Sequence, residues 1–122
     1  MNSDFKEDEL LLRAVYPISQ RPKFWRKDGT LSSAALKDPK GLSVDRTYNR
    51  SLEEAINYIK QNLKGNIVSI PYIECLKVKA EVLYLPSTHN PFHSEIHGSQ
   101  NQIELSDIQA LLLAQTATIQ KI

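Results

Sequence analysis

The sequence predicts an α+β fold: a single small domain, residues 1–122, with a mainly antiparallel sheet and two principal helices at about 52–63 and 107–119. Three observations carry this. Two segments repeat apolar residues at helical spacing behind a Ser-x-x-Glu or Ser-x-x-Gln start. Several other segments have the length and patterning of strands. The order reads β-loop-α-β-β-β-α, without the regular alternation of a parallel α/β sheet.

The elements follow in chain order. Residues up to about Asp8 are expected to be loosely ordered. LLLRAVY, Leu10 to Tyr16, is a buried strand or the end of a short helix, stopped by Pro17. PISQRPKFWRKDG is a loop with a turn at Asp28-Gly29. Ser32 or Ser33 caps a single helical turn through Leu36. Pro39 and Gly41 then break the chain before the β-prone LSV, Leu42 to Val44. In SLEEAINYIKQNLKG, Ser51 and Glu54 form a capping box, and Leu52, Ala55, Ile56, Ile59 and Leu63 make one stripe. Glu53 and Glu54 suit the positive helix end, Lys60 and Lys64 the negative one, and Gly65 is a stop. NIVSIPYIECL, Asn66 to Leu76, reads as a strand that Pro71 confines to an edge or ends early. KVKAEVLYL alternates Val78, Ala80, Val82 and Tyr84 against Lys77, Lys79 and Glu81, as a half-buried strand does. SDIQALLLAQTATI starts with Ser106 and Gln109 at capping-box spacing; Ile108, Leu111, Leu112 and Gln115 mark one face, widened by Ala114 and Ile119.

Composition excludes several classes. With 41% apolar and 24% charged residues the chain is an ordinary globular one, and its net charge of +1 gives no global attraction to nucleic acid or an anionic membrane. No apolar run is long enough for a transmembrane helix, and the acidic start does not resemble a secretory signal. One cysteine, Cys75, excludes an internal disulfide and a cysteine-only zinc site, and it reads as a small core residue. These features together favour the cytoplasm. Charge is uneven, however. Arg13 to Arg50 holds nine Lys/Arg against three Asp, a balance of +6, whereas Glu81 to Asp107 holds four acids and no base, −4. The two regions either neutralise one another or present a basic patch to an acidic or phosphate-bearing partner.

The histidines cluster in THNPFHSEIHG at His89, His93 and His97. Pro91 forbids a helical His89/His93 pair, because it would remove a helix hydrogen bond and clash at a cost of about 3 kcal/mol. A strand over PFHSEIHG instead puts His93, Glu95 and His97 on one polar face and Phe92, Ser94 and Ile96 on the core face. The polar face either meets water or forms a site, with His93 and Glu95 as candidate catalytic acid–base residues. A metal is not favoured; if one bound, His93, Glu95 and His97 would be its ligands. No cofactor is expected. No phosphate loop, GxSxG elbow or HExxH is present. Arg13, Ser32, Ser33, Lys37 and Arg46 are candidates for holding a substrate or anion. In RPKFWRK, Phe24 and Trp25 interleave with four cations, which suits either nucleic-acid stacking or a tryptophan anchoring its loop.

Taken together, DGTLSSAALKDPKGLSVDR, GNIVSIPYIECLKV and NPFHSEIHG resemble a family of small uncharacterised bacterial proteins with SSxAxK…LSV, VxxxxxEC and NPxHxxI segments. Leu36 stands where that pattern has Phe. The resemblance implies a bacterial cytoplasmic origin and no particular reaction, with His93 as the motif histidine and Ser32, Ser33 and Lys37 matching its first segment. Two functions follow as expectations. One is a binding or accessory module for a protein or nucleic-acid partner, away from membranes. The other is an enzyme for a nucleotide or other phosphorylated substrate, using His93 and Glu95 with basic and serine residues from 13–46. The enzyme reading gains if Arg13, Ser32-Ser33 and His93 line one concavity, and fails if His93, Glu95 and His97 lie on a flat exposed face.

Overall fold

The computed structural model describes residues 5–61 and 65–120. The expected Leu63 and Lys64 end of the first helix lies outside them, as do Met1–Asp4. The strands are β1 (Leu10–Val15), β2 (Leu42–Arg46), β3 (Asn66–Pro71), β4 (Glu81–Tyr84), β5 (His93–His97) and β6 (Thr118–Gln120); the helices are α1 (Leu52–Lys60), α2 (Tyr72–Lys77) and α3 (Asp107–Thr116). They form a six-stranded sheet in the order β4-β5-β2-β1-β3-β6, antiparallel throughout. The fold is α+β on a single small domain.

Strand alternation divides the core into two layers. Leu11 and Val15 of β1, Leu42 and Val44 of β2, Val68 and Ile70 of β3 and Ile96 of β5 point to one side. There they meet Ala35, Leu36, Cys75, Ala110, Leu113 and Ala114. Leu10, Leu12 and Ala14 of β1 and Ile67 of β3 point to the other side, under Leu52, Ala55, Ile56 and Ile59 of α1. The α1 stripe therefore works as its spacing predicts. Both halves of the capping box are made: Ser51 Oγ accepts from Glu54 N at 3.1 Å, and Glu54 Oε1 accepts from Ser51 N at 2.9 Å.

The segment expected as one strand from Asn66 to Leu76 is instead a strand followed by a helical turn. β3 ends at Pro71, which becomes the N-cap of α2. A proline fits there because it has no amide to contribute to the ladder and its fixed φ suits a helix start. The next strand is correspondingly shorter than its alternation suggests: Lys79 takes a left-handed φ of 61°, and pairing begins only at Glu81. α3 stops at Thr116, and Ile119 belongs to β6, opposite Val68. The single turn before β2 is a 3₁₀ turn over Ser33–Leu36, with Ser32 as its cap. At the N-terminus, Phe5 stacks on Tyr72 with ring centroids 5.1 Å apart.

Candidate functional site

β5 presents His93, Glu95 and His97 on the α1 side of the sheet, as a strand through PFHSEIHG requires; Ser94 and Ile96 are fully buried on the other side. Phe92 departs from that alternation, because it precedes the paired residues. Its ring lies edge-on to Tyr58 of α1 at 5.3 Å, beneath the Arg50 guanidinium at 3.4 Å. Glu95 bridges both imidazoles: its Oε1 lies 2.8 Å from His97 Nε2 and its Oε2 3.4 Å from His93 Nε2. The three side chains are partly buried, at 28%, 21% and 16% exposure for His93, Glu95 and His97, so they are neither an enclosed site nor a freely solvated face. Gly41 backs the pair. At its φ of 104°, a Cβ would lie 2.5 Å from Glu95 Oε1 and 3.0 Å from His97 Nε2. His89 lies apart and exposed, and its carbonyl accepts from Tyr58 Oη at 3.2 Å. Among the described residues no group of three His, Cys, Asp or Glu side chains is placed to hold a metal ion.

His93 also lines a cleft of about 160 Å³ beside α1, with Arg13, Ser43, Asp45, Asn90 and Ile59. Asp45 faces His93 across the β2–β5 ladder and accepts from Asn90 Nδ2 at 2.8 Å. Arg13 lies just past the last β1–β2 pair, Leu12 with Asp45, and donates to the Ser43 carbonyl at 2.8 Å. Its Nε is buried without a hydrogen-bond partner. Burial lowers its pKa from the ordinary arginine value, and Asp38 partly offsets the shift.

The remaining candidate residues lie elsewhere. Ser32 accepts from Ala34 N at 3.2 Å as the cap of its turn, and Ser33 begins that turn. The turn packs on α3, on the side of the sheet opposite the histidines. Lys37 donates to the Leu105 carbonyl at 2.7 Å and to Asp107 at 2.9 Å, tying that turn to the start of α3. Arg46 is 2% exposed and points away from the face that carries Asp45. Its Nε and Nη2 donate to the two Glu9 oxygens at 2.8 and 2.9 Å. The guanidinium lies 4.0, 4.1 and 4.8 Å from the ring centroids of Phe5, Tyr48 and Tyr84. Of the anion-holding set, then, Arg13 alone lines a cleft with His93.

Two surfaces stand out on the other elements. α3 buries Ala110, Leu113 and Ala114, and the small Ala110 and Ala114 let it pack closely on the Ala35–Leu36 turn. Gln109 fixes its rotation by donating to the carbonyls of Val78 at 3.0 Å and Gly98 at 2.8 Å. The face that the spacing singles out is thereby turned outward, leaving Ile108 66%, Leu111 40% and Leu112 42% exposed. The available signal was that DIQALLLAQT is apolar around its whole circumference, so one apolar side had to remain uncovered. The other surface is the RPKFWRK loop. Trp25 is 8% exposed and donates from Nε1 to the Tyr16 carbonyl at 2.8 Å, so it anchors the loop to the core. Arg21, Lys23, Arg26 and Lys27 remain exposed around it.

No protein-family model matches the chain, and neither a curated protein nor a solved structure matches it.

Proposed function

We propose that this chain is a small bacterial cytoplasmic accessory module that docks onto a partner protein through the outward face of α3. The observation that carries this reading is the exposure of Ile108, Leu111 and Leu112 together on one helix face. A contiguous apolar face on a small domain favours association over solvation. The occupant that fits is an amphipathic helix with a basic rim. No Lys or Arg occurs from Glu81 to Gln120, Glu104 and Asp107 stand at the start of α3, and no base lies in its last turn. A partner's cations would complement Glu104 and the negative helix end, Asp107 being already paired with Lys37 at 2.9 Å. A second copy of α3 offers no such cations, so self-association is disfavoured.

The test is a titration with a synthetic Leu/Lys amphipathic helical peptide, followed through the amide NMR signals of the protein. Shifts are expected along α3, and Leu111→Glu should abolish them without loss of folding. Shifts confined to other elements, or a homodimer in light scattering, would count against the proposal.

A second reading, an enzyme for a nucleotide or other phosphorylated substrate, draws support from Arg13 and His93 lining one cleft with Glu95 behind the imidazole. It receives none from Ser32, Ser33, Lys37 or Arg46, which are engaged elsewhere, and the cleft is small beside the usual ligand pockets of roughly 300–1,000 Å³. Titrating inorganic phosphate and a nucleoside monophosphate against the His93 ring signals tests it; unmoved signals would discard it.

A further inference from the structure

We infer that a second docking site lies beside β6 and takes an extended acidic segment of a partner protein. The site is a groove of about 180 Å³ lined by Pro17, Ile18, Trp25, Gly29, Asn66 and Ile119. Its walls are mostly apolar. The Trp25 indole N–H is already spent on the Tyr16 carbonyl, so the groove asks for an apolar anchor rather than a hydrogen-bonding one. Ile18 stands at its lip with 55% of its surface exposed. Beside it, β6 ends the sheet order, and no described strand pairs with its outer side. The unpaired backbone groups of an edge strand are a template for an added strand, which favours an extended occupant.

Charge selects the kind of segment. From Pro17 to Leu31 the loop carries Arg21, Lys23, Arg26 and Lys27 against Asp28, four minus one, or +3. Among the described residues none of these four cations forms an ion pair with an acid. Asp28 accepts from both Thr30 N and Thr30 Oγ1, which holds its carboxyl below the usual range and commits it to the turn. An acidic segment with an apolar anchor therefore complements this loop. Single-stranded nucleic acid fits less well. Stacking needs open aromatic faces, and Trp25 is buried, Phe24 is half-buried, and the Tyr16 ring already carries Arg21 at 5.1 Å. The groove shares no residue with the outward face of α3, so either docking site can fail alone.

The chain has one tryptophan, so its fluorescence reports on this groove directly. The probe is a synthetic peptide of alternating Val and Glu, titrated against the intact protein. A saturable change in emission is expected, weakening as salt rises. Reversing Arg21, Lys23, Arg26 and Lys27 to Glu, all at exposed positions, should weaken it by at least about tenfold. A peptide with Lys in place of Glu, and one N-methylated at alternate residues, should both fail to bind. Four results would each overturn the inference: no saturable change at millimolar peptide, equal binding of the Lys peptide, equal binding of the N-methylated peptide, or tighter binding of an oligothymidine strand.

Discussion

Gly41 is where the backbone leading into β2 meets the Glu95–His97 pair. Its positive φ strains any other residue, and a Cβ there would collide with the carboxylate. Gly41→Ala should therefore cost about 1–3 kcal/mol in thermal or denaturant unfolding, and it should shift the ring signals of His97 and His93. A smaller effect confined to stability would mean that the contact with Glu95 is not tight. Arg46 is the second demanding residue. Its charge is buried against Glu9 and enclosed by Phe5, Tyr48 and Tyr84. Glu9→Gln leaves that charge without its carboxylate and should destabilise the fold by about 3–5 kcal/mol in urea unfolding. The histidine face was legible in the sequence because Pro91 excludes a helix and alternation does the rest. The role of Arg46 was not, because Glu9 lies 37 residues away and nothing local distinguishes a buried pair from an anion site. Cys75 is fully buried, and burial pushes its thiol up to about 12, with Glu74 adding to the shift. It should resist alkylation at neutral pH until the protein unfolds.

Elements were legible where local physics decides them. α1 is specified by its own cap and stripe, and its pH dependence follows from the cap. The Ser51 amide, with its hydroxyl, holds the Glu54 carboxyl below its usual value. The stabilisation is therefore fully present above the unfolded carboxyl pKa of about 4.3, and it is lost as pH falls through the folded value. Glu54→Gln keeps the geometry without the charge. The stability gap between wild type and Glu54→Gln, measured by denaturant titration, should close on acidification; a gap independent of pH would contradict the cap's electrostatic part. α2 was missed because NIVSIP is strand-like and YIECLK is too short to announce a helix; only the position of Pro71 marked the break. The inward side of α3 could not be read from periodicity, since both sides are apolar and the choice is made by close packing of Ala110 and Ala114 and by the anchor at Gln109. Leu111→Glu should change folding stability by less than about 0.5 kcal/mol, whereas Leu113→Ala on the buried side should cost about 2–5 kcal/mol.

The α+β class was legible across the whole molecule; the strand order was not. Placing β1 between β2 and β3, and β5 against β2, depends on pairings between distant segments that no short window encodes. That order separates the Ser32–Lys37 turn from His93 by a sheet thickness, which is why residues that looked like one anion site in sequence do not assemble. It also leaves two apolar surfaces outward, the α3 face with acids at its start and the groove beside β6 under a basic loop. On the proposed function, the outward face of α3 is the primary docking surface. The most direct measurement is site-specific photo-cross-linking in living cells, with the reactive side chain placed at Leu112 and, as a control, at exposed Asn57 on α1. Docking through α3 should give a discrete adduct with a different protein from position 112, suppressed when Ile108→Glu is added, and none from position 57. No discrete adduct from 112, an equal one from 57, or an adduct consisting of two copies of this chain would contradict it.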